Sequence, residues 1–146
     1  MANSPADILK MIKENDIEWV DVRFTDPRGK WQHLSMCAEV IDEDVLEEGV
    51  MFDGSSIEGW KAINESDMIL RPDLDAVYMD PFSATPMMIL VCNIVEPGDG
   101  SLYNRDPRST AVRAEAFLKS TGIGDTIYVG PEPEFFMFDD VKFENG

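Results

Sequence analysis

Positive charge is scarce in this sequence. Twelve lysines and arginines stand against 29 aspartates and glutamates, a net charge of −17. Such a field repels nucleic-acid backbones and anionic membrane surfaces and attracts cations. Neither nucleic acid nor membrane is expected as a partner, and a metal cation is the easier one to accommodate. Cysteine is also rare. Cys37 and Cys92 lie far apart without metal-ligand spacing; a disulfide stays open, but they read better as reduced, small core residues. Histidine occurs once, at His33, in a hairpin among residues that read as surface-facing, and is assigned no role. There is no basic start followed by an apolar stretch, and no apolar run long enough to span a bilayer. These absences favour the cytoplasm. The phosphate loop G-x-x-x-x-G-K, the pattern G-x-G-x-x-G and a nucleophilic serine elbow are all missing. An enzyme using ATP on this framework needs another phosphate-holding device, with metals as the natural one.

What is present reads as soluble and globular: hydrophobic residues make up 44% of the chain and charged residues 28%. Its 146 residues suffice for one domain, or a small domain and the start of another. Ser4-Pro5-Ala6-Asp7 is a helix start, with Ser4 as cap, and Ile8, Met11 and Ile12 fall on one face of a helix that fades near Asn15. Residues 17–25 alternate, with Val20, Val22 and Phe24 facing one way and Asp21 and Arg23 the other. Asp26-Pro27-Arg28-Gly29 is a turn, and residues 30–37 return as the second strand of a hairpin. A short acidic helix is expected from Ile41 to Glu48, then a loop from Gly49 to Trp60. Short strands are expected at 68–71 and 76–79, and the apolar run Met87–Val95 suits a buried strand. A helix followed by hairpin-linked strands indicates an α+β domain with a mixed sheet.

Glu96-Pro97-Gly98-Asp99-Gly100 reads as a linker. A second helix follows, with Asp106 as cap, Pro107 in its first position, Gly122 at its end and an apolar stripe of Ala111, Ala114 and Leu118. Strands are expected at 126–129 and about 132–143. The latter is rich in phenylalanine with few later residues to cover it. The sequence therefore reads as cut off inside a second domain, or as a natural short chain that covers this strand by oligomerising.

Two places carry candidate chemistry. In a strand, Glu132 and Glu134 of Gly130-Pro131-Glu132-Pro133-Glu134-Phe135-Phe136 share one face, about 6–7 Å apart at the backbone. Hard divalent cations prefer such carboxylates, Pro131 and Pro133 stiffen the segment, and the phenylalanines supply a dry wall. On spacing alone, a solvated acidic face on an edge strand is the favoured reading, because Glu-x-Glu is common. The second place is Met51-Phe52-Asp53-Gly54-Ser55-Ser56-Ile57, a carboxylate beside hydroxyls on a glycine-flanked turn. It suits binding a small cation or taking a proton from one, and it also suits an ordinary turn. Trp60 and Lys61 suit contact with a planar ligand or, more commonly for the Trp, anchoring of the loop to a core. Asn64-Glu65-Ser66-Asp67 suits a cap or a turn.

Taken in order, Val20-Asp21-Val22-Arg23-Phe24-Thr25-Asp26, Phe52-Asp53-Gly54-Ser55-Ser56-Ile57, Asn64-Glu65-Ser66-Asp67-Met68, Arg105-Asp106-Pro107-Arg108-Ser109 and the segment from Gly130 to Phe136 resemble bacterial class I glutamine synthetase along essentially the whole chain. The resemblance implies a small β-grasp-like domain over residues 1–100, then the opening helix and strands of a truncated catalytic domain over residues 101–146. It implies an N-terminal portion of an enzyme about three times longer. That enzyme makes glutamine from glutamate, ammonia and ATP through a γ-glutamyl phosphate, in double-ringed dodecamers with active sites between subunits. By the same resemblance, Glu134 and Glu132 are ligands of two separate Mg²⁺ or Mn²⁺ ions, Asp53 binds and deprotonates ammonium across the interface, and Ser56 lies beside that site. Trp60 and Asp67 belong to the neighbouring interfacial loop. The remaining metal ligands and most substrate contacts lie beyond Gly146, so this chain alone is expected to be inactive. Two other readings remain open: a stand-alone assembly module, and an acidic metal-binding domain.

Overall fold

The computed structural model describes residues 3–144. Helix α1 spans Pro5–Glu14 and opens as its sequence dictates. Ser4 Oγ accepts from the Asp7 amide, and Asp7 Oδ2 accepts from the Ser4 amide at 2.9 Å, a reciprocal cap that satisfies two otherwise orphaned donors. Ile8 is fully buried, with Met11 and Ile12 packed at the edge of the same core.

Strands β1 (Trp19–Thr25) and β2 (Trp31–Cys37) pair antiparallel. Asp26 closes their turn by accepting from the amides of Arg28 and Lys30, both at 2.9 Å. Helix α2 (Glu43–Glu48) is capped by Asp42 and preceded by a 3-10 turn at Ala38–Val40. Then come β3 (Val50–Asp53), β4 (Asp67–Met79) and β5 (Met87–Val95), in a five-stranded sheet ordered β2-β1-β5-β4-β3. Among the described residues only β1 and β5 run parallel, so the sheet is mixed, as expected. Its inner face joins Val20, Val22 and Phe24 to Met68, Leu70, Met88, Leu90, Cys92 and Ile94 in one core with Ile8 and Leu46 of the two helices. This is the α+β architecture expected of a small β-grasp-like domain.

Several expectations are corrected. The stretch from Gly49 to Trp60 is not all loop: its first part is the edge strand β3, registered Val50 to Leu70 and Asp53 to Asp67. The two short strands at 68–71 and 76–79 are halves of one long strand, β4. Pro72 donates no hydrogen bond, and the ladder to β5 slips between Pro72 and Val77. Asp21 faces away from the core as expected but is 1% exposed, because Ser35, Arg23 and His33 cover its carboxylate. Both cysteines are free; Cys92 is in the core, whereas Cys37 ends β2 and is exposed.

Helix α3 spans Pro107–Thr121, with Asp106 accepting from the Ser109 amide at 3.0 Å and hydroxyl at 2.6 Å, and Gly122 following at φ 68°. The chain divides into two compact units between Ala114 and Glu115, inside this helix. The stripe of Ala111, Ala114 and Leu118 is not a buried face: both alanines are exposed and Leu118 is half-buried. In the second unit the strands expected at 126–129 and 132–143 do not form. A strand persists through the hydrogen bonds of a neighbour, and none among the described residues is paired with these. Among the described residues no helix is long and apolar enough to cross a membrane.

Candidate functional site

The site in the first unit is built at the free end of the β3–β4 pair. β3 ends at Asp53, and β4 begins at Asp67, directly opposite it in register. Two carboxylate-bearing residues thus face each other across an edge ladder. Like charges in that position repel unless water or a cation intervenes. The fold therefore brings together two of the residues singled out in the sequence.

Gly54 makes the close turn possible. Its amide donates to Ser66 O at 2.7 Å. A Cβ at Gly54 would lie 2.3 Å from the sulfur of Met68, which is fully buried. Asp53 then caps the 3-10 turn Gly54–Ser56, its Oδ1 accepting from the Ser55 hydroxyl at 2.6 Å and the Ser55 amide at 2.8 Å. These bonds, the hydroxyl first, hold the Asp53 carboxyl below its ordinary pKa. It is an exposed anion at neutral pH, better suited to attracting a cation than to keeping a proton. Ser56 is exposed at the end of the same turn.

The chain between Ser56 and Asp67 is pinned at its centre. Trp60 is 6% exposed, with its ring centroid 5.6 Å from Phe24, 6.2 Å from Phe52 and 5.5 Å from Tyr103. The tryptophan takes the anchoring role weighed for it. Its indole Nε1 is buried and has no hydrogen-bond partner among the described residues. Next to it, Lys61 Nζ donates to both Glu96 carboxylate oxygens at 2.8 Å and lies 5.4 Å from the centroid of the Tyr103 ring. The Glu96 bonds come first among the causes that raise the Lys61 pKa. An open cavity of about 520 Å³ lies beside Asp67, lined also by Lys61, Asn64, Glu65, Ser66 and Glu96.

Sequence reasoning left a second polar cluster unread. Asp21 Oδ1 accepts from Ser35 Oγ at 2.6 Å and lies 2.8 Å from His33 Nδ1, while Arg23 bridges Asp21 Oδ2 and Asp80 Oδ2. The alternation of β1 and β2 put Asp21, Arg23, His33 and Ser35 on one face, but Asp80 joins only through the fold.

In the second unit, Glu132 and Glu134 are exposed on a segment without regular structure, so the same-face geometry expected of a strand is not formed. Among the described residues no group of three or more His, Cys, Asp and Glu is placed to hold a metal ion. The donor chemistry of the two carboxylates fits a hard divalent cation, but two donors fall short of the six oxygens such an ion takes.

Comparison with known proteins gives a consistent picture. The family described as "Glutamine synthetase, beta-Grasp domain" matches residues 16–97, and "Glutamine synthetase, catalytic domain" matches residues 104–146. A glutamine synthetase of Rhizobium meliloti (strain 1021) is 61% identical over 138 residues, covering 94% of this chain and 29% of that protein. A protein of Cupriavidus pinatubonensis named 3-hydroxylaminophenol mutase is 57% identical over 143 residues, covering 98% of this chain and 30% of its own length. Among solved structures, a glutamine synthetase of Plasmodium falciparum superposes with a TM-score of 0.75 at 26% identity, covering 84% of this chain and 24% of that one. The chain spans less than a third of the length of these relatives. With the β-grasp family covering more than half of its residues, the chain belongs to the glutamine synthetase family.

Proposed function

We propose that this chain is the N-terminal portion of an ATP-dependent glutamate–ammonia ligase, with the domain boundary near residue 100. The reaction has two steps. The side-chain carboxylate of glutamate takes the γ-phosphoryl group of ATP, and ammonia then displaces phosphate from the γ-glutamyl phosphate to give glutamine. The observation that carries this reading is the placement of Asp53: an ionised, exposed carboxylate at the tip of a β-grasp sheet, opposite Asp67.

In this proposal Asp53 draws ammonium by charge and hydrogen bonding, and Ser56 flanks it. Apposition of a second subunit dries the site and raises the Asp53 pKa, so that the carboxylate can also take the ammonium proton. Trp60 and Asp67 belong to the same interfacial loop, the tryptophan as its anchor. Glu132 and Glu134 supply one oxygen-donor residue to each of two Mg²⁺ or Mn²⁺ sites, completed by residues outside this chain. Such ions neutralise charge on a transferring phosphoryl group. The protein works in the cytoplasm as a ring-shaped homo-oligomer, a dodecamer, with glutamate, ammonium and ATP as its substrates.

The test is an assay of glutamine formation by the longer protein and by the 146-residue chain. The longer protein is expected to form glutamine from glutamate, ammonium and ATP, and the chain alone to form none. A longer protein that isomerises a hydroxylaminophenol and makes no glutamine would overturn the proposal. Glutamine made by the purified chain would overturn the claim that it holds only part of the site.

A further inference from the structure

We infer that Arg105 is a positioning residue for the Asp53 site, acting through the backbone of the loop between Ser56 and Asp67. The inference rests on the ammonium-site proposal and adds to it the element that holds the loop in place.

The loop leaves the sheet at Asp53 and returns at Asp67, so the ladder fixes its two ends. Ten residues lie between Ser56 and Asp67 and contain no paired strand. A loop of that length is free to move unless its middle is tied. Phe24 and Phe52 pack on Trp60, Arg28 Nη2 pairs with Glu58 at 2.6 Å, and three further ties come from the short segment between β5 and α3. Arg105 Nη1 donates to Gly59 O at 2.6 Å and lies 3.4 Å from Trp60 O. The Tyr103 ring packs edge-on against Trp60 at 5.5 Å, and Glu96 holds Lys61.

Arg105 differs from the other two in its target. Tyr103 and Glu96 hold side chains, whereas the guanidinium holds two consecutive backbone carbonyls. Gly59 sits at φ 85°, in the left-handed region, so its carbonyl belongs to a turn that ordinary residues adopt at a cost. Both contacts are made by one nitrogen, Nη1, whose two N–H groups are held at fixed angles in the guanidinium plane, whereas a lysine ammonium replaces it only as a single flexible point charge. Arg105 is itself exposed, so its removal leaves the buried core untouched.

The test compares Arg105→Ala and Arg105→Lys in the longer protein with the unaltered protein, using two readouts. In Arg105→Ala, loss of a charge-assisted tie is expected to raise both the exchange rates of loop amides at 57–66 and the ammonium KM about tenfold. Amides of β5, the glutamate KM and the ATP KM should change by less than about twofold. Arg105→Lys should recover part of both effects. Loop exchange that stays unchanged in Arg105→Ala overturns the inference, as does a drop in kcat with equal shifts in all three KM values. Asp53→Asn, run beside them, separates the two levels. If it raises the ammonium KM and Arg105→Ala does not, only the positioning role fails. If Asp53→Asn leaves ammonium saturation unchanged, the ammonium-site proposal fails, and this inference fails with it.

Discussion

Two regions of this chain carry similar strand-forming residues and end differently. Between residues 19 and 95, runs such as Met87–Val95 form strands, each hydrogen-bonded to a neighbour, and bury Leu70, Met88, Leu90 and Ile94 to 2% exposure or less. Between residues 127 and 143, Tyr128, Val129, Phe135, Phe136, Met137 and Phe143 are at least 81% exposed, and no strand forms. The difference lies in the supply of partners. An apolar run becomes a strand when another backbone takes its hydrogen bonds and another surface covers its side chains. The first region contains both within itself. An exposed apolar stretch as large as the second is what a partner surface covers in other proteins.

Hydrogen exchange tests this contrast most severely. Amides of β5 are expected to exchange at least about a thousandfold more slowly than those of residues 126–143, because β5 opens only with the whole sheet. Equal protection would abolish the distinction. Single substitutions sharpen it. Leu70→Ala, at a fully buried position, should cost about 2–5 kcal/mol in denaturant unfolding. Phe136→Ala, at 86% exposure, should stay within about 0.5 kcal/mol. A large cost at Phe136 would mean that the second region packs after all.

A smaller effect concerns pH. Burial pushes the Asp21 carboxyl up, but its bonds from Ser35, Arg23 and His33 outweigh burial and leave its pKa below the ordinary value. A lowered folded pKa contributes stability that is complete above the unfolded aspartate pKa, about 3.9. That contribution is lost as pH falls through the folded value. Thermal melts of Asp21→Asn should therefore lose less stability than the unaltered chain as pH falls below about 4. Parallel pH profiles would show that Asp21 is not a source of the acid dependence.

Much of the first unit, which runs to Ala114, was legible because its signals are local. The Ser4–Asp7 cap, the Asp26 turn, the alternation of Val20, Val22 and Phe24, and the start of α3 at Asp106-Pro107 each depend on residues a few positions apart. What escaped depends on distant partners. β3 has four residues between glycines, too few to show alternation, and is made a strand by β4. Pro72 concealed the continuity of β4. The facing of Asp53 and Asp67 needed the register of two strands, although Asp53 itself was visible as a carboxylate beside hydroxyls. Glu132 and Glu134 are visible in the sequence as two carboxylates, but the strand expected to set their geometry is absent here.

The central claim is that Asp53 is the ammonium-binding carboxylate of a glutamate–ammonia ligase. Its most direct test is ammonium saturation of the longer protein carrying Asp53→Asn, which removes the charge and keeps the shape. Loss of a charge-assisted contact to a cation should raise the ammonium KM by about tenfold to a hundredfold, with the glutamate KM little changed. An ammonium KM equal to that of the unaltered protein would contradict the account.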